Sequence, residues 1–393
     1  MSEMKSKSKF CNIYLLSWVI YYLQNYFDYR GSFLSRALIL ILLMVSFYYT
    51  IYAINHFKLP KPMKIIGVML AIWTVYGLIM IILQDNSTAP SFNYIKDIYI
   101  SFLPIYTIYV FVKKGWLTEK MLLLWTYVFV VIGVMLFYSN ARARMDLLGT
   151  DEVTNNSGYA VVTIIPLLLL FKDKPIIQYV LLGVCMFHVI IGMKRGAILC
   201  GAVCTLWLVL SNMTQEKKLT SKAARNMFWR LLLTVGMIVG GIIVVTNLFA
   251  TSDYFNHRFE QTMDGDTSGR DELYSMMLDY YLNQDFWKVL VGNGGYSTES
   301  IFGVLAHNDW LEIAIDNGLI LLVVYAAFWI SMIVMFLKGD KTKERIMLGM
   351  FLLIYLFKSF VSMSYSAVTI YSACYIGLAF ANYEFKSKKI SIK

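Results

Sequence analysis

The sequence predicts an all-α polytopic membrane protein, and three observations carry that prediction. Apolar blocks of about 20 residues recur from end to end, which is the length a helix needs to cross a hydrocarbon core. The chain of 393 residues is 58% hydrophobic, with a mean hydropathy of +0.59. Only 15% of its residues are charged, against roughly 25% in an ordinary soluble domain.

Twelve apolar segments follow in order, near 10–27, 33–54, 63–84, 94–112, 120–138, 158–171, 175–192, 196–211, 230–250, 318–337, 346–361 and 365–383. Three of them, 158–171, 196–211 and 346–361, are short. Short spans are tolerated where they pack inside a bundle or re-enter it. The basic stretch before residue 10 runs into the first apolar segment and then into further spans, so no cleavable signal peptide is expected.

Lysine and arginine set the orientation. With a cytoplasmic N-terminus, the even-numbered connections and both tails carry 24 of the 35 basic residues. The net charge of +10 is therefore a topology signal, and nucleic acid is not expected as a partner. The five cysteines, Cys11, Cys185, Cys200, Cys204 and Cys374, all fall in apolar segments. They have no metal-ligand spacing and read as packing residues.

One transmembrane domain covers 1–393, and two outward loops stand out from it. Loop 139–157 carries Arg142 and Arg144, then Asp151 and Glu152. The large loop 251–317 holds twelve of the 25 acids but only Arg258, Arg270 and Lys288 as bases. Within it, Leu273, Tyr274, Met277, Leu278, Tyr281 and Leu282 repeat at helical spacing. Ser268 stands where it could cap that helix, and Gly292, Gly294 and Gly295 mark a chain reversal.

Three residues are candidates for chemistry. Arg195 follows Met193 and Lys194 between two apolar segments with almost no connection. A guanidinium at that depth needs a partner, and arginine binds phosphate as a fork that never loses its proton. Its bland alternative is an interfacial anchor. Arg270 opens the amphipathic helix, where an anion would meet both side chain and helix N-terminus; alternatively it pairs with Asp271 or Glu272. His307 precedes the tenth segment, and Leu311, Ala314 and Gly318 continue its helical face inward. It could take a proton near neutral pH or simply bond backbone, with Asn308, Asp309 or Glu312 available to orient it. No HExxH, GxSxG or Walker pattern occurs, so a metal-independent mechanism without cofactor is expected.

The order of these pieces resembles the O-antigen ligase / O-antigen polymerase family of bacterial surface polysaccharide assembly. The resemblance rests on Arg195-Gly196 at a span start, Arg270 on the loop helix, the Gly292 and Gly294 turn, residues 307–312 (HNDWLE) and residues 318–320 (GLI). It covers about residues 158–337. One departure is Tyr274, where relatives often carry tryptophan. The resemblance implies a twelve-helix membrane glycosyltransferase of the bacterial plasma (inner) membrane with both termini cytoplasmic. It implies an undecaprenyl-diphosphate-linked oligosaccharide as substrate, in contact with the lipid bilayer, with a chain-length regulator and a flippase as partners. The catalytic roles would fall on Arg195, Arg270 and His307, with Arg142, Arg144, Arg258, Asn308 and Tyr296 as secondary substrate contacts. A repeat-unit polymerase of O-antigen or capsule is the first expectation and a ligase acting on a lipid A core the second. A flippase or other transporter is the alternative from a different class. It would show a cationic cavity reaching mid-membrane and internal repeats, and none is visible in the sequence.

Overall fold

A computed structural model describes residues 2–83, 88–148, 153–214, 221–265, 269–340 and 342–383. Among these the secondary structure is helical, without strands. Asp151, Glu152, Asp266, Ser268 and the last four basic residues lie outside the described residues.

Most of each apolar segment is helical, although 23–27, 163–164 and 365–369 are not. Among the described residues seven helices are long and apolar enough to cross a membrane: Phe33–His56, Lys61–Met80, Phe92–Lys113, Glu119–Leu148, Arg195–Met213, Ala224–Thr251 and Asp309–Lys338. Gly158–Phe171, Pro175–Ile191 and Ile370–Asn382 are apolar but shorter. This is the build of a polytopic membrane protein, because a helix satisfies its own backbone where water cannot. The segment at 346–361 is three pieces, Lys343–Phe351, a π turn at Leu352–Leu356, and Phe357–Val361.

The interior is aromatic. Tyr106, Tyr109, Phe111, Tyr371 and Tyr375 are fully buried where the Ile370–Asn382 helix lies along Thr88–Lys113. Gly377 makes that approach possible, since a Cβ there would meet Ile108 and the Tyr109 amide. All five cysteines are buried and free. The Ala224–Thr251 stretch is the opposite case, with none of its apolar window buried inside the protein. A helix that apolar and that exposed needs lipid as its solvent.

The large loop is mostly helix: Asp253–Met263, Arg270–Leu282, Phe286–Val291 and Ser297–Phe302. Met277 and Tyr281 bury the expected face of the second of these against Ala306, Ala314 and Ile315, while Leu278 and Leu282 stay exposed.

The tenth segment differs from its sequence reading. Its helix starts at Asp309, before the apolar run, and breaks at Gly318 with φ 75 and ψ −178. The break opens backbone carbonyls, and the glycine turn fills them. Asn293 N donates to Ile315 O at 3.0 Å and Gly294 N to Asp316 O at 2.9 Å. The two chains touch backbone to backbone: a Cβ on Gly318 would strike Leu290 O and Gly292 N, and one on Gly292 would strike Asp316 O and Asn317 N. Asp316 then holds the next helix by its open N-terminus, accepting from Tyr296 N at 3.0 Å, Ser297 Oγ at 2.8 Å, Thr298 N at 2.8 Å and Thr298 Oγ1 at 2.6 Å.

Candidate functional site

A cavity of about 590 Å³ opens between the Arg195 hairpin, the Arg270–Leu282 helix and the Phe357–Val361 helix. Its wall carries Lys194, Arg195, Arg258 and Arg270, against one acid, Asp271. Tyr159, Tyr274, Phe357 and Phe360 supply the apolar and aromatic remainder.

Local geometry explains how the cations arrive there. Helix Pro175–Ile191 ends at Gly192, Met193 turns left-handed with φ 51, and Arg195 opens the next helix. Asn155 N ties this hairpin down by donating to Gly192 O at 2.8 Å. Gly196 must be small: a Cβ would run into the Tyr159 hydroxyl and come within 3.3 Å of Phe357 Cε1. Arg270 is the first residue of its helix, after Gly269 at φ 73. Its Nη1 donates to Val361 O at 2.9 Å. Arg258 Nη1 donates to Gln261 Oε1 at 2.7 Å.

The far wall is pinned by the carbonyls that the Phe357–Val361 helix leaves open at its end. Tyr274 OH donates to His307 O at 3.2 Å and to Phe360 O at 3.4 Å. Asn308 Nδ2 also reaches Phe360 O at 3.4 Å. Asn308 Oδ1 meanwhile caps the Asp309 helix through Trp310 N at 2.9 Å and Leu311 N at 3.3 Å.

His307 sits beside this cavity and outside its wall. It is exposed and adopts φ 52, ahead of the helix and not on it. The inward helical face expected for it therefore begins only at Asp309. Desolvation first, then the positive charges of Lys194 and Arg270, hold its pKa below the usual 6.5. The three side chains considered as its orienters bond elsewhere. Asn308 is the helix cap, and buried Asp309 accepts from Ser364 N at 2.8 Å, Tyr365 N at 3.1 Å, Tyr325 OH at 2.5 Å and the Ser364 hydroxyl. Glu312 Oε1 accepts from Tyr365 OH at 3.2 Å.

Arg142 is exposed and lies 3.9 Å from Asp146, away from the cavity wall. Arg144 is close enough for its charge to act on Lys194. Tyr296 is not in the wall. Its hydroxyl donates to Asp97 Oδ2 at 2.7 Å and its ring meets Tyr94 edge-on at 5.1 Å. Among the described residues no group of three His, Cys, Asp or Glu side chains is placed to hold a metal ion.

Sequence reasoning missed two residues of the cavity lining, Lys194 and Tyr159, and one lysine close to it, Lys358. Lys194 was visible as the neighbour of Arg195 but was given no role. Burial, then the charges of Arg270, Arg144, Arg258 and Lys358, bring its pKa down to about 8. Tyr159 carries no sequence signal at all. Lys358, whose Nζ lies 5.5 Å from the Tyr159 ring centre, is a lysine inside an apolar segment, which is itself a functional signal.

Among the described residues the wall carries four cations and one acid, an arrangement chemically suited to an anion of more than one charge. The aromatic flank and the apolar helices below favour an anion attached to something greasy. No protein-family model matches the chain, and no curated protein matches it, so the functional reading rests on this geometry and on the residue pattern.

Proposed function

We propose that the chain is a membrane glycosyltransferase that moves a glycan from an undecaprenyl-diphosphate carrier to an acceptor hydroxyl on the outer face of the bacterial plasma membrane. The observation that carries the reading is the meeting of Arg195 and Arg270, far apart in sequence, with Lys194 and Arg258 in one cavity. Within this reading all twelve helical segments span the membrane and both termini are cytoplasmic.

Contacts between loops support that topology by sorting into two groups. Glu119 pairs with Lys343 and Asn382 bonds Glu344 at 3.2 Å, while buried Arg230 donates to Lys172 O at 2.8 Å and Asn212 O at 3.0 Å. These are all connections assigned to the cytoplasm. Thr154 bonds Tyr254 at 2.7 Å, Arg270 bonds Val361 and Tyr296 bonds Asp97, all at outward connections or at the segment ends that adjoin them.

The chemistry needs little beyond charge and position. The acceptor oxygen attacks the anomeric carbon, the sugar–phosphate bond breaks, and its electron pair leaves on the carrier diphosphate. Arg195 and Arg270 neutralise that charge, which accumulates in the transition state. His307, whose lowered pKa leaves its ring neutral at pH 7, accepts the acceptor's proton or aligns its hydroxyl. Repeat-unit polymerisation of a surface polysaccharide is the form of the reaction we propose, with transfer to a lipid A core as the second. The cations cluster at helix starts and in loop helices, which favours surface chemistry over a transport path.

The reading is tested by incubating purified protein with a lipid-diphosphate-linked repeat unit and following free carrier diphosphate by chromatography. Release that depends on an added acceptor glycan, and fails in Arg195→Ala and Arg270→Ala, supports it. Carrier movement between leaflets without any bond cleavage supports the transport alternative instead.

A further inference from the structure

We propose that Lys194 is the proton-carrying member of the anion clamp, so that a diphosphate entering the cavity binds together with a proton taken up by this lysine. The inference rests on the carrier-diphosphate reading and deepens it.

Among the described residues the cavity wall holds four cationic side chains, and three are arginines, Arg195, Arg258 and Arg270. An arginine keeps its proton under any condition a protein survives. Lys194 is the member that can release one. It is half-buried at the tip of the hairpin between Ile191 and Arg195.

The groups that act on it come from every side. Arg270, Asp271 and Tyr274 come from the Arg270–Leu282 helix and Arg258 from Asp253–Met263. Arg144 lies on Glu119–Leu148, Lys358 on Phe357–Val361, and Tyr159 on Gly158–Val162. His307 stands beyond them and feels the Lys194 charge. Among the described residues that balance is strongly positive. In the ligand-free cavity a neutral amine relieves that repulsion, and burial acts in the same direction. Two phosphate charges offset much of that repulsion and favour the ammonium, which then adds a donor to the clamp.

Proton uptake follows by linkage. With the ligand-free amine titrating near pH 8, binding at that pH takes up on the order of half a proton. Affinity consequently falls as pH rises through that region.

The test is calorimetric titration of the purified full-length protein at pH 8, in buffers of different ionisation heat. The probe is a short-chain citronellyl-diphosphate N-acetylglucosamine diester. Each of its phosphates carries one fixed negative charge across the neutral and alkaline range, so any proton change belongs to the protein. The wild type is expected to take up about half a proton per ligand. Lys194→Arg, which keeps the charge, is expected to bind with no uptake and so also reports its own folding. Lys194→Gln is expected to lose the uptake and at least tenfold in affinity. His307→Gln is expected to keep the uptake. Uptake that survives in Lys194→Arg, or that vanishes in His307→Gln, overturns the assignment to Lys194, as does a wild type that binds without uptake. A wild type that does not bind the probe at all overturns the carrier-diphosphate reading together with this inference.

Discussion

Replacing Gly318 by alanine should destabilise the protein by roughly 2–6 kcal/mol, a range assembled from two contributions. At φ 75 and ψ −178 the backbone lies in a region essentially reserved for glycine, and forcing a side chain to hold it costs of order 1–3 kcal/mol. The new Cβ would also strike Leu290 O and Gly292 N, which are backbone atoms with no rotamer to step aside. Moving them breaks the bonds from Asn293 N to Ile315 O and from Gly294 N to Asp316 O, each worth about 0.5–1.5 kcal/mol. The control is Gly236→Ala in the exposed Ser221–Thr251 helix. There a Cβ meets nothing, and alanine should be neutral or stabilise by up to about 1 kcal/mol. Thermal unfolding of both variants in detergent, followed by tryptophan fluorescence, makes the comparison. Equal midpoints for Gly318→Ala and Gly236→Ala would refute the view that this backbone contact joins the two halves of the loop.

Two further predictions concern stability. Asp316→Asn turns a donor towards either Tyr296 N or Thr298 N, depending on how the amide sits, where the two carboxylate oxygens together accepted four bonds; a loss of about 2–3 kcal/mol is expected in the same unfolding assay. Lys194 titrates near 10.5 when unfolded and near 8 when folded. Between those values the unfolded chain holds a proton the folded chain has lost, so stability rises with pH across that window and the penalty is fully present below it. Lys194→Gln should therefore stabilise the ligand-free protein at pH 7 by about 1–2 kcal/mol, allowing for the side chain's partial exposure. That gain should fade as the pH rises from about 8 to 10.5 and be gone above it, and unfolding midpoints measured across the pH range check it.

The sequence made the helices legible because apolar runs of membrane length leave few alternatives, and most of each segment is helical. Asp316, Asn317 and Gly318 hinted at the break, but its partner, the 290–295 turn, is set by tertiary contact that the sequence does not show. Arg195 and Arg270 were legible singly, as charges where charge is costly, but their meeting with Arg258 depends on how three separate helices pack. Tyr296 was singled out as an aromatic in a polar loop. Its Asp97 and Tyr94 partners sit on a helix that the sequence gives no reason to place beside it. His307 was placed on a helical face by counting back from Leu311, and the left-handed residue before the Asn308 cap ends that periodicity.

The central claim is that Arg195, Arg270 and His307 serve transfer of a glycan from a diphosphate carrier. The most direct measurement supplies lipid-diphosphate-linked repeat units to membranes from cells lacking the protein. Glycan length is then compared for wild type, Arg195→Ala, Arg270→Ala and His307→Ala at matched expression. The account predicts a ladder of lengths with wild type that collapses to single repeats in each variant. Single repeats moved onto a lipid A core would replace polymerase by ligase, whereas no transfer with wild type, and variants that behave like it, would contradict the account.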